Sequence, residues 1–239
     1  MRSIFLASML AVLAVGCSKD PQLAKKEFVE SGKKYLQQGK PQEAIIQFRN
    51  ALKLDSRYAD AYYQLAEADV VQQQWQDAFK NLQQAIDLEP GRADARLEIG
   101  RLYLAARQYE EASEQAAAIL EKDPQNSGGY QLQGTALAGM GKPEEAAKVF
   151  AKLTELKPNE AAGYDNLALV QITLKQYSQA EQNLLKAIQV EPGAQDAYIN
   201  LANFYRLQRQ LPKAEGTLRQ GQHRPETYDG GSLFWQSKH

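Results

Sequence analysis

Cysteine occurs once in the 239 residues, at Cys17, so no disulfide can form within the chain. Histidine occurs only at His223 and His239, both near the end, with no cysteine or second histidine at ligand spacing, and this pattern offers no metal site. Neither sign of charge dominates. Lys and Arg number 28 against 29 Asp and Glu, a balance that argues against nucleic acid as a partner. The apolar run from Ile4 to Val15 falls short of the about 20 residues that a membrane-spanning helix needs. The glycine pairs Gly128-Gly129 and Gly230-Gly231 lack the lysine and serine of a phosphate-binding loop, and carboxylate pairs such as Glu110-Glu111 and Glu144-Glu145 sit where a helix dipole welcomes negative charge. No arrangement of residues that marks a catalytic, cofactor or small-molecule site is therefore visible, and the sequence reads as a non-enzyme that needs no cofactor.

What the chain does contain is repetition. Alanine returns every 34 residues, at Ala44, Ala78, Ala112, Ala146, Ala180 and Ala214. In the same register small residues stand at Gly32, Ala66, Gly100, Gly134, Ala168 and Ala202, and mostly aromatic ones at Phe28, Tyr62, Arg96, Tyr130, Tyr164 and Tyr198. Proline recurs near the end of the unit at Pro90, Pro124, Pro158 and Pro192, with Ser56 in the first copy. Within a unit the apolar residues recur at threes and fours, as in Leu97, Ile99, Leu102, Tyr103 and Ala106, which is the period of an amphipathic helix. A break follows at Gln38-Gly39-Lys40-Pro41, Gly141-Lys142-Pro143 and Arg209-Gln210-Leu211-Pro212, where glycine can end one helix and proline can open the next. Each unit reads as a helical hairpin. One hairpin cannot cover its own apolar face, so stacking on its neighbours is expected.

Together these positions resemble the tetratricopeptide repeat family, with six units at 25-58, 59-92, 93-126, 127-160, 161-194 and 195-228. The resemblance implies an all-α fold, a right-handed α-solenoid of six hairpins, in place of the one or two globular domains that length alone suggests. It also implies that the first helix of each hairpin lines a concave groove for protein or peptide partners. Pentatricopeptide units are the nearest alternative, but they run one residue longer and usually sit in a basic, RNA-binding chain.

The N-terminus adds a second expectation. Met1-Arg2-Ser3 supplies a positive start, Ile4 to Val15 a short apolar core, and Ala14-Val15-Gly16-Cys17 small residues before the cysteine, which together read as a secretion signal. The segment resembles a bacterial lipoprotein signal with its lipobox, alanine standing at the place usually held by leucine. That resemblance implies a signal peptide at 1-16, lipidation of Cys17 and a tether at 17-24 in which Asp20-Pro21 is a plausible helix cap and first turn. Ser18 after the cysteine favours, by the same analogy, the outer membrane with the chain facing the periplasm.

Family resemblance places candidate partner contacts at Tyr63, Leu97, Arg101, Asn166, Asn200 and Asn203. An asparagine amide both donates and accepts, so Asn166, Asn200 and Asn203 could grip the backbone of an extended peptide; ordinary solvated polar residues are the alternative. Val70, Val71, Leu104, Leu132, Leu169, Ile172, Ile199 and Leu207 add apolar character, divided between packing and exposed groove. The carboxylate-clamp subgroup is not matched, because Gln131, Thr135 and Asp196 stand where basic residues or asparagine would be needed. Beyond Leu218 the pattern fades, and the irregular tail at 229-239 contains Phe234-Trp235; either the tail folds back to cover the last hairpin, or the end face mediates self-association, or the chain is a shortened form of a longer repeat protein. The repeat style is similar to that of bacterial repeat lipoproteins linked to exopolysaccharide and protein-sorting systems. The expected function is a lipid-anchored envelope scaffold for export or secretion, with a type IV pilus lipoprotein that helps a secretin assemble as the second reading.

Overall fold

The computed structural model describes residues 20–222, and among them every regular element is a helix, with no strand. The expectations for the signal at 1-16, Cys17, Ser18, the two histidines and the tail at 229-239 lie outside the described residues. Twelve helices run in chain order: α1 (Pro21–Gln37), α2 (Pro41–Leu54), α3 (Ala59–Val71), α4 (Trp75–Leu88), α5 (Ala93–Ala105), α6 (Tyr109–Lys122), α7 (Ser127–Gly139), α8 (Pro143–Leu156), α9 (Ala161–Thr173), α10 (Tyr177–Val190), α11 (Gln195–Leu207) and α12 (Leu211–Gln222). They form two compact units, one ending at Asn81 and the other beginning at Leu82, a division that falls inside α4.

The helix boundaries follow from local chemistry. The Asp20 carboxylate caps α1, accepting from the Gln22 amide at 2.9 Å, so α1 begins at Pro21. Proline opens α1, α2 and α8, where its missing N–H costs nothing. Each hairpin turn uses one left-handed residue. Gly39 and Gly141 fill that place at φ 70° and 74°, while Gln73, Arg107, Lys175 and Arg209 hold it at φ 57–59° despite their side chains. The next amide then reaches back to a carbonyl in the last turn of the first helix, as Lys142 N to Leu137 O at 3.0 Å and Gln176 N to Gln171 O at 2.8 Å, which closes the helix end.

Between hairpins a second recurring bond sets the register. The hydroxyls of Tyr62, Tyr130, Tyr164 and Tyr198 donate to the carbonyls of Ser56, Pro124, Pro158 and Pro192 at 3.1–3.3 Å, each six residues earlier. Arg96, which breaks the aromatic pattern, keeps the bond: its Nε donates to the Pro90 carbonyl at 2.9 Å. The side chain varies and the tie persists.

Packing explains the small residues. The six repeating alanines are 0–3 % exposed. A Cβ on Gly134 would come within 2.5 Å of the Phe150 ring in its own hairpin, and one on Gly32 would overlap Phe48. Gly100 differs. Its own hairpin carries the small Ala116 in place of a bulky partner, and the group that fills the space is Leu132 of the next hairpin, so this glycine governs the contact of α5 with α7. The core is accordingly a series of small clusters, each joining one hairpin to the next. Leu137, Phe150, Leu153, Leu167 and Val170 join α7, α8 and α9, while Leu184, Leu201, Phe204 and Ala214 join α10, α11 and α12.

Replacing Gly100 with Leu should overpack the α5–α7 contact and destabilise the fold by about 1–3 kcal/mol. Gly216 on α12 meets nothing within 4 Å of a built Cβ, so Gly216→Ala should stabilise it by about 0.5–1 kcal/mol. Urea denaturation followed by circular dichroism reads both changes; a neutral Gly100→Leu would contradict the packing assignment.

Candidate functional site

In the second unit the first helices touch one another directly, α5 with α7, α7 with α9 and α9 with α11, while no two second helices share a comparable contact among the described residues. The first helices therefore present one continuous side-chain surface, the surface on which the family resemblance places groove residues.

The sequence candidates divide on this surface. Tyr63 belongs to the first unit, where its hydroxyl donates to Glu67 at 2.7 Å. Leu97 is half-buried and packs against the Gly128 backbone, and the exposed Arg101 guanidinium pairs with Glu98, so both are engaged within α5 and its neighbour. Asn166 is half-buried on α9, Asn203 is exposed on α11, and the half-buried Asn200 donates its amide to the Asp165 carboxylate. Asn166, Asn200 and Asn203 come together on α9 and α11. Leu97 and Arg101 stand apart from them, with α7 between.

Exposure separates the apolar set in the same way. Leu132 is buried, and Val70, Leu97, Leu104 and Ile172 are half-buried, whereas Leu169, Ile199 and Leu207 are 46 %, 46 % and 57 % exposed. From residue 82 to residue 168 no large apolar side chain is exposed at all. Exposed apolar groups in the second unit are confined to the last two hairpins. A surface cleft of about 660 Å³ lies between α6, α7 and α8, lined by Leu137, Met140, Lys142 and Val149, and does not include these residues.

Asp165 was not among the sequence candidates. It sits one residue before Asn166, buried against α11, with Oδ1 lacking any hydrogen-bond partner. A lone acid within a run of apolar groove positions was the available signal, but its meaning depends on Asn200, Asp196 and Glu191, which come from other elements. Burial pushes the Asp165 pKa up to about 6; the Asn200 amide pulls it down, and the charges of Asp196 and Glu191 push it up further. Asp69 is a contrasting buried acid in the first unit: burial raises its pKa too, but the Asn81 amide meets its Oδ2 at 2.7 Å.

An acid whose folded pKa exceeds its unfolded value stabilises the fold while protonated. For Asp165 this contribution is complete below about pH 3.8 and is lost as pH rises through about 6. Relative to Asp165→Asn, the native chain should therefore lose on the order of 2 kcal/mol of stability between pH 4 and pH 7. Urea midpoints of both proteins at several pH values test this, and parallel curves would refute it.

Comparison with known proteins agrees with the architecture. Family models of tetratricopeptide repeats match residues 32–70, 71–136, 128–160 and 166–226. No curated protein matches the chain. Among solved structures, PilF of Pseudomonas aeruginosa is similar with a TM-score of 0.70 at 21% identity, over 82% of this chain and 90% of its own. MamA of Desulfovibrio magneticus RS-1 reaches 0.65 at 20% identity, over 72% and 97%. YrrB, described as a TPR protein with an unusual peptide-binding site, reaches 0.55 at 20% identity, over 73% and 90%. With six helical pairs in a 34-residue register, small residues at the close contacts and four repeat-family matches along its length, the chain belongs to the tetratricopeptide repeat family, of the all-α solenoid class.

Proposed function

We propose that the chain is a non-enzymatic scaffold that holds extended segments of protein partners on the first-helix surface of its last two hairpins. The observation that carries this reading is the exposure of Leu169, Ile199 and Leu207 beside Asn166 and Asn203, on a unit that covers its large apolar side chains from residue 82 to residue 168. Apolar contact supplies affinity, and the asparagine amides can meet the backbone donors and acceptors of an extended strand. Asn200 acts differently in this reading, since its amide already serves Asp165. The peptide-binding site named for YrrB fits the same class of ligand.

The scaffold works, in this proposal, at the periplasmic face of the bacterial outer membrane, tethered by acyl chains on Cys17, where it assembles an export or secretion system. The support is the charged start, short apolar run and small residues before Cys17. More than one acyl chain, at about 0.8 kcal/mol per buried methylene, makes such a tether effectively permanent. Crosslinking and co-purification from membranes separates the pathways: recovery of a secretin favours the pilus-assembly reading, and recovery of polysaccharide-export components favours the first.

Cys17→Ser should move the protein from the membrane to the soluble fraction on cell fractionation, and retention in the membrane would sink the lipid anchor. Asn166→Ala with Asn203→Ala should reduce partner recovery about tenfold, equivalent to 1.4 kcal/mol, with unchanged helical circular dichroism. Undiminished recovery would remove the asparagines from the binding role.

A further inference from the structure

The first-helix surface of the last two hairpins carries negative charge that no cation among the described residues offsets. Asp165 on α9 is 8 % exposed, its Oδ1 has no donor among the described residues, and the Asn200 amide on α11 donates to its carboxylate. Asp196, exposed in the first turn of α11, and Glu191, which ends α10 and accepts from the Ala161 amide at 3.2 Å, are the charged groups whose fields reach it. α7 has no charged residue and α9 has only Asp165. The single cation of α11, Arg206, lies ten residues beyond Asp196, about 15 Å along the helix axis. Lys186 of α10 donates to Gln189 at 3.3 Å, and Lys157 after α8 to Glu160 at 2.9 Å. A buried carboxylate with an empty lone pair, beside an exposed second carboxylate, is poised for a positive group that the described residues do not supply.

The apolar groups beside it narrow the ligand further. Leu169 stands one helical turn after Asp165, and Ile199 three residues after Asp196, both about half exposed. In an extended segment, residues two apart point to the same side. We infer that this corner selects partner segments bearing a lysine or arginine two residues from a large apolar side chain, the cation held over Asp196 with Asp165 behind it and the apolar group against Leu169 or Ile199. The inference rests on the groove reading proposed above and adds the chemistry of the partner. It also sets a pH response: protonation of Asp165 removes half of the carboxylate pair, so the hold on a cation weakens as pH falls through about 6 and strengthens as pH rises.

The test is a displayed library of random ten-residue peptides selected on the purified full chain in detergent at pH 7.5. Enrichment of the cation–x–apolar pattern is expected. A selected arginine peptide should bind about tenfold more tightly than its citrulline counterpart, as one charge-assisted contact allows; the ratio should fall at pH 5, where half of the carboxylate pair is lost, and shrink toward one in Asp165→Asn with Asp196→Asn. Thermal melting verifies that this variant is folded, and Asp196→Asn alone keeps the test decisive if the double change disturbs packing. Enriched peptides without a cation, whose binding still falls in Asn166→Ala with Asn203→Ala, overturn the charge inference and leave the groove reading standing. Peptides insensitive to all of these substitutions, or no enrichment, overturn both.

Discussion

Everything in this chain depends on how closely two helices can approach at a handful of small side chains. Fully buried alanines at a 34-residue spacing, with glycine against Phe48, Leu132 and Phe150, let each helix reach its neighbour without a gap. The consequence is a core made of linked clusters instead of one interior. No cluster is complete within a hairpin, as Leu137, Phe150 and Val170 illustrate by coming from three successive helices. Stability is then shared between nearest neighbours, and a change at one junction acts on both of its hairpins. Local chemistry reinforces this order: the side chain four residues into a unit ties itself to the carbonyl at the end of the unit before, through tyrosine in four cases and arginine in one.

A fold of this kind has side chains to spare on its surface, and the second unit uses them unevenly. Its earlier hairpins cover their large apolar groups, while the last two expose Leu169, Ile199 and Leu207 on the surface shared by first helices. The same place holds Asp165, a buried acid pushed up to about 6 with one oxygen unmet. Burying an ionisable group without a partner opposes folding, so packing alone does not account for it. Exposed apolar surface and an unmet charge at one location are features of a surface whose complement lies on another molecule.

Much of this was legible in the sequence, because repetition multiplies weak signals. One alanine says nothing, whereas six at a constant interval, with glycine and proline punctuation in register, specify hairpins and their turns. Three points were not legible, each because it depends on a neighbour from another element. Arg96 looks like a lost aromatic but preserves the bond to the Pro90 carbonyl. Gly100 reads as one more small residue in register, yet it accommodates Leu132 from the next hairpin, since Ala116 leaves no bulky group in its own to face it. Asn200 reads as a free groove amide, and its engagement by Asp165 appears only when α9 and α11 are side by side. Periodicity fixes what a position is; which neighbour it meets is decided by the helix stacked against it.

In the proposed reading, partners dock on the first-helix surface of the last two hairpins. Ile199 on α11 and Leu185 on α10 are almost equally exposed, at 46 % and 48 %, but only Ile199 lies on a first helix. A photo-crosslinking residue placed at each position in turn, in cells, tests the claim most directly. Docking on the first helices predicts a discrete crosslinked product from position 199 that is absent from position 185; crosslinking from 185 alone, or equally from both, would rule it out.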